Sequence, residues 1–325
     1  MYIYKMKSKL LVFPLLIVPL VSCSVNKEIR RNSFYFDTYT ESRLYEGNES
    51  NLDDIEKILT KIDKLTDNFN ARDLNNVYKV NTTTENVEIE PELYEVLKLS
   101  FSNDLDSLNY FNPLCGSLSK KWKESLANKQ VLDQATIDAE LLKMQNTYLE
   151  FVNETTVKRV GEAEIDLGAV AKGYALDKVK DYLDQQDFTK YLIDAGSSSL
   201  LLGEKKNNKN FKIKIENLDD TYIHAKNCFI STSSSSRQKV EIDGQIYSHI
   251  INPITGSAIN EHDAVIVVSS KGYLGDILST AFINESLDSI KELEQHFEVK
   301  TIVIDNNKIV YQNVGIEVTN KWKKI

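Results

Sequence analysis

Apolar side chains recur every three or four positions in six stretches of the chain, and this period predicts amphipathic helices. The clearest stretch is 51–65, where Ile55, Leu59 and Ile62 fall on one face. The stretch 173–185 is almost as regular, with Tyr174 and Val179 on its apolar side. The predicted helices cover residues 51–65, 91–109, 135–145, 173–185, 273–284 and 287–296.

Shorter stretches are rich in β-branched and aromatic residues, which predicts strands between the helices. Asp243-Gly244 separates two of them and is a strong hairpin signal. Asn306-Asn307 separates the last two, and Gly161 lies near the turn of a hairpin expected over 156–165. The predicted strands cover residues 34–45, 191–193, 200–202, 211–215, 228–231, 238–242, 245–249, 264–269, 299–305 and 308–312. These elements predict an α+β fold with largely antiparallel sheets and packed helices, forming a single large domain with two lobes over residues 34–325.

An apolar run over residues 10–23 follows a basic start and ends in Cys23. The run is shorter than the roughly 20 apolar residues of a membrane-spanning helix, and its layout is typical of a secretory signal. Leu20-Val21-Ser22-Cys23 resembles the lipobox of bacterial lipoproteins, which implies lipidation of Cys23. We therefore expect a signal peptide over 1–23, a tether over 24–33, and an extracytoplasmic protein anchored by lipid to a bacterial membrane. The alternative is an uncleaved N-terminal anchor.

Composition narrows the possible partners of this 325-residue chain. Its net charge of -9 argues against a nucleic-acid partner, because phosphate backbones favour basic surfaces. Apart from Cys23 the chain has only Cys115 and Cys228, which form either one disulfide or two separate buried thiols. The four histidines show no metal-ligand spacing.

The segment 165–175 is the first with chemical potential, since a strand ends, Gly168 allows a tight turn and a helix begins. A helix N-terminus exposes unpaired N–H groups and binds phosphate well. Lys172 adds a full positive charge in the first turn, and Asp166 offers a hydrogen-bond acceptor for a ribose or base. The alternative is an ordinary strand–turn–helix in which Asp166 is only a cap.

A second segment, 247–256, places His249 at the end of a strand, just before the turn signal Asn252-Pro253. Histidine titrates near neutral pH and is suited to general-base catalysis. The alternative is a structural histidine.

A third segment, 275–280, places Asp276 and Thr280 four residues apart, on the same face of a predicted helix. One carboxylate and one hydroxyl make a partial oxygen site suited to Mg²⁺, which usually keeps waters and uses substrate phosphates. The alternative is that Asp276 only stabilises the first helical turn through the helix dipole.

Together these segments resemble, in order and type, the ApbE-like FAD:protein FMN transferases, over about residues 34–312. The closest match is Asp166-Leu-Gly-Ala-Val-Ala-Lys-Gly-Tyr-Ala175, which is similar to the family's D-L-G-[GA]-[IV]-A-K-G-Y-A. Other matching segments are 36–39, 111–122, 249–256 and 274–281, whereas 65–69 is barely recognisable.

The resemblance implies that the chain cleaves FAD at its pyrophosphate, releases AMP and joins FMN through a phosphoester to a Thr or Ser of a target flavoprotein. The targets it implies are extracytoplasmic subunits of membrane redox complexes. The flavin contacts of the family fall on Asp166, Lys172, Asn112, Pro113, Leu114 and Ile250. Its Mg²⁺ ligands fall on the Ala169 carbonyl, Asp276 and Thr280. The implied catalytic residues are His249, Asp276 and Lys172.

Two loops depart from the family pattern. Residues 194–199 stand where N-x-G-G-N is usual, and residues 231–237 stand where T-S-G-x-Y-x-R is usual, so serines replace glycines and a tyrosine. The extra Cβ atoms are expected to narrow the flavin pocket or to alter which flavin group it accepts. Two alternatives therefore stay open: a lipoprotein that binds or scavenges FAD without transfer, and a Mg²⁺-dependent FAD pyrophosphatase.

Overall fold

One large sheet organises the protein in the computed structural model, which describes residues 28–205, 208–235, 239–320 and 323–324. Its eight strands lie in the order β1-β2-β6-β7-β10-β13-β14-β15, and every neighbouring pair is antiparallel. Its strands are β1 Ile29–Tyr35, β2 Thr38–Leu44, β6 Tyr191–Ala195, β7 Ser199–Leu202, β10 Cys228–Ser234, β13 Ala264–Ser269, β14 Lys300–Asp305 and β15 Lys308–Gln312. The expected α+β class with antiparallel sheets is confirmed.

Helices cover one face of this sheet and bury the larger part of the core. Helix α1 shows why the apolar period was readable: Leu52, Ile55 and Leu59 are almost completely buried, and Asn48 caps its N-terminus. The helices are α1 Glu49–Thr66, α2 Val77–Asn81, α3 Pro91–Ser100, α4 Gly116–Ala127, α5 Gln134–Gln145, α6 Ala171–Gln185, α7 Gly272–Phe282 and α8 Leu287–Phe297.

Smaller sheets complete the fold. A sheet in the order β17-β16-β9-β8 covers the other face of the large sheet, where alternate residues such as Leu202, Ile230 and Ile266 form a second core. The strands outside the large sheet are β3 Val87–Glu88, β4 Tyr148–Asn153, β5 Thr156–Val160, β8 Phe211–Lys214, β9 Tyr222–Ala225, β11 Val240–Ile242, β12 Gln245–Tyr247, β16 Glu317–Asn320 and β17 Lys323–Lys324.

Two tight turns follow the sequence signals. Asp243 and Gly244 both have positive φ values (52° and 80°) and join β11 to β12. Asn306 and Asn307 also have positive φ values (50° and 57°) and join β14 to β15. Asn, Asp and Gly tolerate this backbone conformation better than other residues, which is why these hairpins were predictable.

The N-terminal prediction needs one correction within the described residues. The tether expected over 24–33 gives way to strand β1 at Ile29, which pairs with Leu44 at the far end of β2. The polar residues of β1 concealed the strand, because an edge strand with one solvent-facing side has little apolar content. The signal segment 1–23 and Cys23 lie outside the described residues. Within those residues, no helix is long and apolar enough to span a bilayer.

Several further elements differ from the sequence prediction, which did not include helix α2 or strands β3, β9, β16 and β17. The helix expected over 91–109 ends at Ser100, and Ser102 then caps a short 3-10 turn. The hairpin expected over 156–165 lies over 148–160, with Gly161 just after its second strand. Helix α4 was missed because its segment is rich in Lys and Ser, although its apolar residues lie one turn apart. Cys115 and Cys228 are separate thiols.

Candidate active site

A cleft of about 700 Å³ opens beside the N-terminus of α6 and the side of α7 that carries Asp276 and Thr280. The loops before α4 and after β12 form its other walls, with the end of β10 and the β1–β2 turn at its rim. The predicted site residues on its surface are Asn112, Asp166, Ala169, Lys172, His249, Ile250, Asp276 and Thr280. Segments far apart in sequence thus supply one concave site of a size suited to a large ligand.

The turn before α6 is held by Asp166. Its Oδ1 accepts a hydrogen bond of 2.7 Å from the Gly168 N–H, and its own N–H donates to the Pro113 carbonyl over 2.8 Å. Burial raises the pKa of the Asp166 carboxyl, while the Gly168 N–H and the positive charge of Lys120 oppose this rise. Asp166 therefore closes the turn before α6 but does not cap the helix, whose N-cap residue Val170 makes no side-chain cap bond. The same carboxylate lines the cleft.

Asp276 lies at the floor of the cleft and is almost completely buried. Its Oδ1 accepts hydrogen bonds from the Ser231 and Ser199 hydroxyls, at 2.6 and 2.7 Å. Its Oδ2 accepts one from the Gly173 N–H at 2.7 Å. Burial raises the pKa of the Asp276 carboxyl. The positive charge of Lys172 opposes this rise most strongly, and the three hydrogen bonds oppose it less. Strands β7 and β10 and helix α6 thus all hold this carboxylate in place.

Two glycines let α6 and α7 touch at this point. A Cβ at Gly173 would lie 2.1 Å from the Gly272 carbonyl oxygen, and a Cβ at Gly272 would lie 2.3 Å from the Gly173 oxygen. Asp177 of α6 also caps α7, because it accepts hydrogen bonds from the Gly272 and Tyr273 N–H groups at 2.7 and 2.8 Å. Burial raises the pKa of Asp177 to about 6. The close crossing fixes Asp276 and Lys172 relative to each other.

Thr280 lies one helical turn beyond Asp276 on the cleft side of α7. Its Oγ1 is 3.1 Å from the Ser233 Oγ, which is also 3.0 Å from the Ser279 Oγ. Ser233 therefore contacts the hydroxyl expected to bind metal. Ser199 and Ser231, one from each departing loop, also make hydrogen bonds to α7.

The loop that carries His249 is anchored from both sides. The Trp122 indole N–H donates to the Gly256 carbonyl over 2.7 Å, and the Trp122 ring stacks on Tyr247 with centroids 5.7 Å apart. Asn252 Oδ1 accepts from the N–H groups of residues 254 and 255 at 3.0 and 3.1 Å, which closes the predicted turn. His249 is itself exposed and faces the cleft.

Phe69, Lys120 and Lys123 also line the cleft and are among the residues that were not identified as site residues from the sequence. The two ammonium groups lie 5.1 and 4.9 Å from the centre of the Phe69 ring. Lys120 also forms an ion pair of 2.6 Å with Glu164. The sequence places three lysines on α4, but Lys121 pairs with Glu140 outside the cleft lining. Lys120 and Lys123 share the cleft side, which became clear only once α4 was recognised as a helix. They make one wall of the cleft positive in a chain of net charge -9.

Two residues of the predicted flavin-contact set lie outside the cleft lining. Leu114 packs into the core with a relative exposure of 6%, and Pro113 acts through its carbonyl, which accepts the Asp166 N–H. Their contact with a flavin stays a prediction, and local geometry explains where they lie. Asn112 faces the cleft, and its side chain accepts the Leu114 N–H over 2.9 Å, which turns the Leu114 side chain inward.

The donors at the floor of the cleft fit a weakly coordinated hard cation. Asp276 supplies a carboxylate, Thr280 a hydroxyl, and Ala169 belongs to the same surface. Among the described residues, no group of three or more His, Cys, Asp or Glu could hold a metal ion. A Mg²⁺ ion here would take its remaining ligands from water and substrate phosphate, as Mg²⁺ commonly does.

The fold and cleft define an α+β protein with one large, partly basic ligand site. Residues 36–303 match the model of the ApbE family, and the chain belongs to this family. It is 29% identical over 231 residues to an FAD:protein FMN transferase of Klebsiella pneumoniae, covering 68% of this chain and 72% of the relative. It is 25% identical over 260 residues to one of Chlamydia muridarum, covering 74% and 78%.

Solved structures with the same fold agree with this assignment. The ApbE protein of Thermotoga maritima superposes with a TM-score of 0.74 at 20% identity, covering 90% of this chain and 96% of that one. The flavin transferase ApbE of Vibrio cholerae superposes with a TM-score of 0.71 at 17% identity, with the same coverage. At such identities the likeness defines the fold, and the expected single-domain architecture is confirmed.

Proposed function

We propose that the chain is an FAD:protein FMN transferase that attaches FMN through a phosphoester to a Thr or Ser of a target flavoprotein and releases AMP. The observation that carries the proposal is the convergence of Asp166, Lys172, His249, Asp276 and Thr280 on one cleft of about 700 Å³. The five residues come from three separate segments, so an ordinary structural role for each would not require them to meet. Membership of the ApbE family points to the same reaction.

FAD would bind to the lysines that line the cleft and to the turn before α6. Lys172, Lys120 and Lys123 offset the two negative charges of the pyrophosphate. Asp166 accepts hydrogen bonds, and the helix N-terminus after it favours a phosphate group. Lys120 and Lys172 are half-buried, which strengthens their attraction for phosphate relative to the exposed Lys123.

Asp276 and Thr280 would hold Mg²⁺, with the Ala169 carbonyl as a further oxygen. Bound there, Mg²⁺ would neutralise charge that gathers on the pyrophosphate as its P–O bond breaks. The three donors to Asp276 orient this carboxylate in advance. Lys172 adds a second positive charge close to Asp276 and stabilises the charged carboxylate.

His249 would serve the acceptor hydroxyl. It is exposed on the cleft wall, where an incoming Thr or Ser side chain can reach it. A neutral imidazole near that hydroxyl accepts its proton as the oxygen attacks the FMN phosphorus. AMP leaves with the other phosphate, so one P–O bond forms and one breaks.

The place of action follows from the N-terminal segment, and it is part of the same proposal. Lipid attached at Cys23 would hold the enzyme at the extracytoplasmic side of a bacterial membrane, facing the periplasm or the cell exterior. Acceptors on that side include flavoprotein subunits of membrane redox complexes. A tether of this kind keeps enzyme and acceptor in one plane and raises their effective concentration.

AMP release from FAD, measured by chromatography with and without Mg²⁺, tests the site assignment. Asp276→Asn should stop release, because it removes the carboxylate charge while it keeps an oxygen for Ser199 and Ser231. Asp181→Asn, an exposed change on α6, is the matched control and should behave as wild type. Full Mg²⁺-dependent release by Asp276→Asn would contradict the assignment.

A further inference from the structure

A chain of hydroxyl groups links the backbone of Asp276 to the side chain of Thr280. The Ser279 Oγ lies 3.1 Å from the Asp276 carbonyl oxygen. The Ser233 Oγ lies 3.0 Å from the Ser279 Oγ and 3.1 Å from the Thr280 Oγ1. Each hydroxyl has one proton to donate, so the direction of the chain can be worked out.

The direction is set by its first member. A carbonyl oxygen can only accept a hydrogen bond, so the Ser279 hydroxyl donates its proton to the Asp276 carbonyl. Ser233 then donates to Ser279, and Thr280 donates to Ser233. The Thr280 proton is thereby directed away from the cleft floor, and the oxygen lone pairs of Thr280 are left for another partner.

The side-chain spacing along β10 matches the spacing along α7, so two serines of the strand face two site residues of the helix. Ser231 and Ser233 are two apart on β10, so their side chains leave the same side of the strand. Asp276 and Thr280 are four apart on α7 and share one side of the helix. Ser231 therefore contacts Asp276, while Ser233 contacts Thr280.

We propose that Ser233 is a positioning residue that accepts the Thr280 proton and so presents the Thr280 oxygen to a divalent cation. This inference rests on the proposed function, which places the cation between Asp276 and Thr280. A hydroxyl that binds a cation must direct its proton elsewhere, and Ser233 is the acceptor for it. The family motif usually has glycine at this position, and glycine has no side chain to accept the proton. The hydrogen bond from Thr280 to residue 233 is therefore a feature of this chain.

The test is Mn²⁺ binding to the purified full-length protein without FAD, followed by electron paramagnetic resonance. Ser233→Ala should weaken binding about three- to tenfold, the usual effect of one lost hydrogen bond. Ser233→Thr keeps the hydroxyl and should restore binding to within about twofold. Ser235→Ala is the matched control, because Ser235 donates to the Asp263 carbonyl outside the cleft lining. It should bind Mn²⁺ as wild type does.

The outcomes separate this inference from the proposed function. If Ser233→Ala binds Mn²⁺ as tightly as wild type or more tightly, while Asp276→Asn loses binding, the role of Ser233 is overturned and the cation site stands. If wild type binds no Mn²⁺, or Asp276→Asn binds it equally well, the cation site is overturned and the inference falls with it. Unchanged thermal unfolding of Ser233→Ala together with weaker binding supports positioning, since a purely structural residue would shift unfolding instead.

Discussion

Gly173→Ala should disrupt the site although Gly173 does not line the cleft. The new Cβ would lie 2.1 Å from the Gly272 carbonyl oxygen and 2.9 Å from the Asp276 Cγ. Both neighbours are held rigidly, so α6 and α7 must separate by more than about 1 Å to reach ordinary contact. The separation also stretches the hydrogen bond from the Gly173 N–H to Asp276.

The magnitude follows from two opposing effects. Overpacking against backbone costs about 3 kcal/mol, and the better helix propensity of Ala returns about 1 kcal/mol. We expect a net loss of about 2 kcal/mol, which lowers the unfolding temperature by a few degrees in a protein of this size. FMN transfer should fall much further, because Asp276 and Lys172 no longer keep their relative positions.

Thermal unfolding and FAD turnover of Gly173→Ala, measured side by side, check this expectation. Asp181→Ala, on the exposed face of the same helix, is the control for changes in helix propensity. A variant with wild-type unfolding temperature and turnover would refute the argument that the crossing of α6 and α7 positions the site.

Four more predictions address other parts of the account. The pKa of Asp177 is about 6 in the folded protein and 3.8 in the unfolded chain, so the folded state holds this proton over a wider pH range. The free energy of unfolding should therefore fall as the pH rises from 3.8 to about 6, by up to about 3 kcal/mol. Asp177→Asn should flatten this pH dependence in urea unfolding, and an unchanged dependence would contradict the argument. His249→Ala should slow FMN transfer about 10² to 10⁴-fold and keep FAD binding, and full turnover would make the residue structural. Lys123→Gln should weaken FAD binding most at low salt, whereas Lys98→Gln, which also removes a lysine beside aromatic rings, should not; equal effects would deny Lys123 a place in the site. Cys23→Ser should release the enzyme from membranes or stall it as a precursor without loss of activity, and wild type found mainly in the cytoplasm would oppose the proposed location.

Local signals carried much of the fold prediction. Helix α1 was readable because it buries one strongly apolar face, and strand β13 because it is apolar on both faces. Asp243-Gly244 was readable because few residues accept its backbone angles. Strand β1 was not readable because its residues are mostly polar, and helix α4 was not because its first turn depends on a residue far along the chain. Strand β1 pairs with β2 and packs on α1, and the first turn of α4 is fixed by the Gly116 N–H bond to the Glu164 carbonyl.

The site was predictable in its residue types but not in its contacts. Motif likeness singled out Asp166, Lys172 and Asp276, and all three line the cleft. It gave no indication that Asp276 accepts hydrogen bonds from two serine hydroxyls. These serines lie on β7 and β10, and their positions depend on how the two strands pair. The loop serines were expected to narrow the pocket or to alter which flavin group it accepts. Their hydrogen bonds to α7 could be recognised only in three dimensions.

Transfer of FMN to an acceptor protein is the measurement that tests the central claim most directly. The purified enzyme is incubated with FAD, Mg²⁺ and an extracytoplasmic flavoprotein subunit, and the acceptor is examined for in-gel flavin fluorescence while AMP is quantified. The account predicts a fluorescent acceptor band and AMP in equal amounts, with neither produced by Asp276→Asn. Release of AMP and free FMN with an unlabelled acceptor, or retention of intact FAD, would contradict it.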